Sequence, residues 1–266
     1  MTLIVGIKCA DGIVLGADGA ATYGVMGQRT IRQTHQKKLS ILKSRIIVGV
    51  SGSVGLGQRY EGVVEQLWDQ KAFSGQKPWE AMTLLRENFW KHQAFELNAA
   101  NVSKGVHGPG PGFASATTAV IVALPLSSTP HLFQFDQQGA PEEMTEQLPF
   151  ASIGSGQPNA DPFLAFLRRL LWPDTLPTLQ QGVMTALWTL DHCIEVSPGG
   201  IADPVQVVTL GQGSGGLQAK ELSEEELNEH REAIKGAEGA LKQFVKGQPT
   251  EEEGEPPDVP KPKDKN

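Results

Sequence analysis

Apolar and polar positions alternate here in two rhythms. Residues 3–7 and 13–15 are short, nearly unbroken apolar runs on either side of Ala10-Asp11-Gly12. An Asp-Gly pair between two such runs predicts a β-hairpin, whose favoured turn takes positive φ at its central residues. Residues 19–36 are polar and rich in glycine, and no element is read there. Residues 39–42 and 45–51 then predict two strands split by Lys43-Ser44. From 55 to 68, Leu56, Tyr60, Val63, Val64 and Leu67 recur at three and four, the spacing of one helix face. Pro78 suits the first turn of a second helix, with Met82, Leu85, Phe89 and Gln93 along its inner face to about Leu97.

Glycines and prolines crowd residues 102–113 and predict a loop. Strands follow at 117–123, 131–135 and 147–153. Helices follow at 159–171 and 179–194, and a strand at 201–210. Strand runs separated by helix pairs suit two packed antiparallel sheets between helix layers, an α+β architecture. Beyond it, residues 211–222 read as a glycine-rich hinge. Residues 223–246 read as an amphipathic helix: Ser223 and Glu226 form a capping box, Leu222 and Leu227 a hydrophobic staple. Leu227, Ile234, Ala237, Leu241 and Phe244 make a narrow apolar stripe along it. Residues 247–266, dominated by Pro, Glu and Lys, read as a disordered acidic tail.

Charge sharpens that division. The chain of 266 residues carries a formal net charge of −7. From Glu221 onward there are 13 acidic and 7 basic residues, leaving 17 against 16 in the body, so the acidity belongs to the appendage. No basic stripe, zinc spacing or phosphate loop points to nucleic acid, metal or nucleotide. No apolar run reaches membrane-spanning length, and the N-terminal run lacks the positive leader of a signal peptide. Cys9 and Cys193 lie far apart in apolar contexts and read as buried free thiols, which suits a reducing cytoplasm.

The candidate chemistry sits at the start. If Met1 is removed, Thr2 carries a β-hydroxyl and a free α-amine on one residue, so nucleophile and general base coincide. An α-amine titrates near ~7.7–8.0, and a nearby cation would keep it neutral at neutral pH. Thr2-Leu-Ile-Val-Gly-Ile-Lys, Asp11-Gly12, Gly16-Ala-Asp18 and Ala21-Thr22 together resemble the opening of proteasome β-type subunits and of the bacterial relative HslV. Within that group the bacterial proteasome homologue subfamily is the most similar.

The resemblance spans roughly residues 2–210 and implies a four-layer αββα N-terminal-nucleophile hydrolase. It implies Thr2 as nucleophile, Asp18 as the carboxylate orienting a lysine, and Lys38 as that lysine, with Lys37 the alternative. It implies Gly52 as the residue whose N–H meets the oxyanion, and Ser155, in Gly154-Ser155-Gly156, as partner of the Thr2 amine. A glycine at 52 lets a carbonyl approach the main chain without a Cβ in the way. Ala21, Thr22, Val50 and Val54 match the substrate pocket, uncharged throughout, which implies uncharged, mainly apolar side chains before the cut. The departure lies at residues 195–200: the family commonly has an Asp and, three later, a Ser, where this chain has Glu195 and Pro198, with Ser197 one place off.

The implied protein is a cytoplasmic threonine endopeptidase without cofactor. It would act on peptides or unfolded proteins inside a homo-oligomeric double ring, to which an ATP-driven unfoldase could dock. Two rivals stand beside it: a small-molecule amidase on the same fold, and an idle ring that binds or stores something.

Overall fold

The computed structural model describes residues 2–25, 28–33, 37–107, 117–197 and 200–246. The proposed tail, the centre of the glycine-proline segment and Pro198 lie outside them.

Strands β1 (Leu3–Lys8) and β2 (Gly12–Ala17) form the expected antiparallel hairpin, with Ile4 opposite Ala17 and Lys8 opposite Ile13. Its turn does not use positive φ, which no residue of 9–12 adopts. The loop is held from outside instead: Ala10 N donates to Pro177 O, and Asp11 Oδ1 accepts from Leu179 N.

β3 (Ala21–Val25) and β4 (Gln28–Gln33) form a two-stranded ribbon in the stretch read as element-free. β5 (Leu39–Leu42) and β6 (Ile46–Gly52) pair around Lys43 and Ser44, both with positive φ, 51° and 54°. Helices α1 (Val54–Asp69) and α2 (Pro78–His107) follow. α2 runs ten residues past Leu97, the last six of them in the segment read as a loop. β7 (Thr118–Leu126), β8 (Thr129–Phe135), a short β9 (Pro141–Glu143) and β10 (Phe150–Gly154) lead to α3 (Gln157–Leu171) and α4 (Leu179–Val196). The chain then forms β11 (Gln206–Gly213), β12 (Gly216–Glu221) and α5 (Glu224–Val245).

One sheet has the order β10-β1-β2-β11-β12 and the other β5-β6-β7-β8-β9. Strand side chains alternate between faces, and both faces of each sheet are buried, which is why the strands read as continuous apolar runs. Ile4, Leu15, Ile47, Ile121 and Leu132 meet between the sheets. Leu3, Val5 and Ile7 face α3, α4 and α5 on one side. Ile46, Val48, Val120 and Val122 face α1 and α2 on the other. The result is the expected helix–sheet–sheet–helix sandwich.

The C-terminal reading needs correcting. Residues 211–222 are not a hinge, because glycine there closes a hairpin: Gly213 pairs with Gly216, whose φ is +98°. Arg45 Nη2 donates to Gly215 O and Ala219 N to Ser44 O, tying the hairpin to the β5–β6 turn. The first sheet therefore continues to Glu221, past the proposed boundary at 210. α5 has the expected capping box. It is not free to swing: Leu227 and Ile234 are buried in the same core as β1. Trp188 Nε1 donates to Glu238 Oε1, and Arg231 Nε to Asp191 Oδ2.

Candidate active site

Strand register alone gathers the first four residues of interest. Leu3 is paired with Gly154 of β10, which sets Thr2 beside the Gly154-Ser155-Gly156 turn. The Thr2 nitrogen donates to Ser155 Oγ at 3.1 Å. Gly156 N donates to Thr2 O at 3.2 Å. Gly154, with φ +102°, lies so close that a Cβ there would stand 2.1 Å from Thr2 O. Gly154 is thus required by the approach of the Thr2 backbone, whereas a Cβ at Gly156 would meet the side chains of Ile201 and Leu3.

On the other side of β1, the Ile4–Ala17 pairing sets Asp18 against Leu3. Asp18 N donates to Leu3 O, and Leu3 N donates back to Asp18 Oδ1 at 2.8 Å. Asp18 Oδ2 accepts from Ala20 N at 3.0 Å and from Ala202 N at 3.4 Å. Such donors hold the buried carboxylate in one orientation. Lys38 Nζ completes the set, 2.5 Å from Asp18 Oδ1, in a pair shut away from solvent. Burial pulls the Lys38 ammonium below the usual lysine range, against the opposing pull of Asp18.

Lys37 goes elsewhere. Its Nζ lies 2.8 Å from Glu221 Oε2 of β12, and its side chain is 70% exposed. Of the two lysines, only Lys38 meets Asp18.

Gly52 ends β6 with φ +129°, where a Cβ would come within 2.5 Å of Thr117 O. Ser53 caps α1 through Leu56 N, and its own N–H donates to Thr118 Oγ1. Thr2, Ala21, Lys38, Val50, Gly52 and Val54 line one cleft of about 300 Å³. The Thr22 side chain lies outside the described residues. The cleft is less uniformly apolar than the sequence implies, because Lys37, Ser40, Gln58 and Glu61 share its wall. Ser40 Oγ donates to Glu61 Oε1 at 2.6 Å.

Two expected residues are not in this cleft. Glu195 is exposed on α4 and lines surface grooves with Asp191 and Arg231, on the side facing α5. Asp191 and Glu195 are one helical turn apart, so the face that meets α5 carries both. Ser197 caps the C-terminus of α4, where its Oγ accepts from Asn159 Nδ2 of α3 at 3.3 Å.

Two contributors escape the sequence reading. Residues 201–205 are not strand, because their backbone is engaged by the Asp18 loop: Gly19 N donates to Ala202 O, and Ala202 N to Asp18. Gln206, buried at the start of β11, accepts from both Lys38 N and Leu39 N through Oε1 and donates to Leu39 O through Nε2. Its signal was available: a glutamine stands alone in the apolar run Val205-Gln206-Val207-Val208.

A search of curated proteins gives no match. Among solved structures, the chain is similar to one titled as the helical assembly of the Anbu complex from Pseudomonas aeruginosa. The TM-score is 0.64 at 17% identity, covering 93% of this chain and 97% of that one. It is similar also to a Gly-1 mutant of Anbu from Hyphomicrobium sp. strain MC1, at TM-score 0.62 and 17% identity, covering 92% and 100%. Anbu from Yersinia bercovieri, described as an ancestral beta-subunit, gives 0.61 at 16%, covering 93% and 98%. At such identities the likeness speaks for the fold. The family model for the proteasome subunit matches residues 2–170, and the chain belongs to that family.

Proposed function

We propose that this protein is a threonine endopeptidase whose nucleophile is Thr2, freed by removal of Met1. The observation that carries the reading is the double engagement of Thr2. Its nitrogen meets Ser155 Oγ, the buried Asp18 of the Asp18–Lys38 pair accepts from the next residue, and Lys38 lines the same cleft as Thr2.

In the full chain the Thr2 nitrogen is a peptide N–H; after loss of Met1 it becomes an amine at the same place. The neutral amine takes the Thr2 hydroxyl proton as Oγ attacks the substrate carbonyl. The Gly52 N–H holds the oxyanion. The amine then returns the proton to the leaving nitrogen, the peptide bond breaks, and an ester to Thr2 is left. Water, deprotonated by the same amine, hydrolyses that ester and restores the hydroxyl. Lys38, kept charged by Asp18, favours the neutral amine through like-charge repulsion.

The substrates in this reading are peptides or unfolded proteins. The enzyme works inside a homo-oligomeric double ring in the cytoplasm, with docking of an ATP-driven unfoldase as a further element. Among the described residues no helix is long and apolar enough to cross a membrane. The opening residues favour the HslV-like branch, specifically the bacterial proteasome homologues, whereas Anbu proteins are among the solved structures of similar fold.

A second reading, an assembly without peptidase activity, draws on Glu195. Its place against α5 leaves the cleft without the acidic residue that the family commonly supplies from this segment. Turnover of fluorogenic peptides decides between the two: the protein with Thr2 at its N-terminus should cleave them and Thr2→Ala should not. Equal rates in both preparations would overturn the threonine mechanism.

A further inference from the structure

We infer that Gln206 is a positioning residue for the lysine of the site, holding Lys38 against Asp18 from the opposite sheet. This rests on the proposed threonine mechanism and goes beyond it, since neither the nucleophile nor its partners require a glutamine at this place.

The geometry is specific. Asp18 follows β2 of the first sheet, whereas Lys38 precedes β5 of the second. The ion pair therefore spans the two sheets, and the chain between them passes through a separate ribbon, β3–β4. Gln206 holds the main chain where Lys38 enters β5. It is the first residue of β11 and is paired with Ala17, so it stands one residue from Asp18 across the ladder. From there its amide reaches over to the second sheet. Oε1 accepts from Lys38 N at 3.1 Å and Leu39 N at 3.0 Å, and Nε2 donates to Leu39 O at 3.1 Å.

One buried amide thus satisfies three main-chain groups at the strand entrance. It locks the Lys38 backbone to the strand beside Asp18. An uncharged group with both donor and acceptor is what this place needs, because a carboxylate has no donor for Leu39 O and an ammonium no acceptor for the two N–H groups. Glutamine also leaves the Asp18–Lys38 charge balance undisturbed.

Among the described residues, Lys37, Lys38 and Glu61 are the charged groups lining the cleft, with Lys38 paired to Asp18 and Lys37 to Glu221. Loss of the Gln206 clamp lets Lys38 drift from the Thr2 side, and Asp18 then outweighs it. The Thr2 amine becomes more basic, so neutral amine is reached only at higher pH.

The test is the rate of Thr2 modification by a peptide epoxyketone from pH 5 to 9, followed by intact mass, with melting temperature measured in parallel. It uses the full chain with Thr2 at its N-terminus. For Gln206→Met, which keeps length without hydrogen bonds, the expected result is at least a ten-fold lower rate at pH 7. The acid limb should move up by about one pH unit. A folded Gln206→Met protein with the wild-type rate, or with a lower rate and an unmoved acid limb, overturns the inference. Should that variant fail to fold, Gln206→Asn, one methylene too short for the clamp, is read by the same two criteria. A wild-type protein that forms no adduct at any pH overturns the threonine mechanism itself, a result separate from either variant outcome.

Discussion

Asp18 and Lys38 form a salt bridge whose two side chains are 0% and 8% exposed and whose partners come from different sheets. Breaking a buried pair leaves an uncompensated charge, so neither residue is expendable. Lys37, one position earlier, is turned towards Glu221 at the surface. Lys38→Ala should therefore lower peptide turnover by at least about a hundred-fold, and Lys37→Ala should change it little. Steady-state kinetics of the two purified variants checks this; the reverse order would assign the lysine role to Lys37.

The pH profile carries a second expectation. A lysine loses its charge as pH rises through its pKa, and burial places that pKa for Lys38 below the ordinary range. The Lys38 charge, which favours the negative charge developing on Thr2 Oγ during attack, is fully present below this pKa and lost above it. The alkaline limb of turnover should accordingly lie below about 10.4, the value of an ordinary lysine. Rates measured from pH 6 to 11 should show this limb in the wild type and lose it in Lys38→Met.

Gly154 tests the packing beneath Thr2. An added Cβ would meet Thr2 O at 2.1 Å, at a φ of +102° that L side chains rarely adopt. Gly154→Ala must displace the Thr2 backbone or strain its own, and a misplacement near 1 Å can reduce turnover by about a hundred-fold. The expectation is a folded protein with that loss, seen in circular dichroism and peptide cleavage together. Full activity would mean that the turn beneath Thr2 can move without consequence.

α5 packs against the core from Leu227 to Glu238 and is exposed over its last residues. Leu227 and Ile234 are 2% and 6% exposed, whereas Phe244 is 81% exposed. Leu227→Ala and Ile234→Ala should each cost about 2–5 kcal/mol of unfolding free energy. Phe244→Ala should stay within about 0.5 kcal/mol in the isolated subunit. Urea denaturation of the three variants measures the contrast; equal, small effects would return α5 to the detachable appendage that the sequence suggested.

That appendage shows where sequence reading met its limit. Apolar runs and three-four spacing located the sandwich strands other than β9 and β12 and the five helices among the described residues, because burial leaves a signal in residue type alone. Glycine is ambiguous. At 211–216 the same residues that favour a flexible link also supply the positive φ of a hairpin, and only the pairing of Val208 with Glu221 decides between them. The β3–β4 ribbon was illegible because its residues follow no apolar period. Thr2, Asp18, Lys38 and Ser155 were legible through the resemblance, and the structure brings them together. The resemblance gives Glu195 the place of the family's Asp, but α4 turns it towards α5. Ala202 contributes through its backbone, which residue type cannot reveal. Gln206 was visible only as a polar interruption of an apolar strand.

Adduct formation tests the central claim most directly. A peptide epoxyketone closes a ring on both the hydroxyl and the free amine of an N-terminal threonine, so one intact-mass measurement reports Met1 removal and nucleophile competence together. The account predicts a single adduct on the protein lacking Met1, mapped by peptide sequencing to Thr2 and absent from Thr2→Ala. No adduct on protein shown by its mass to begin at Thr2, or equal labelling of the Thr2→Ala protein, would contradict it.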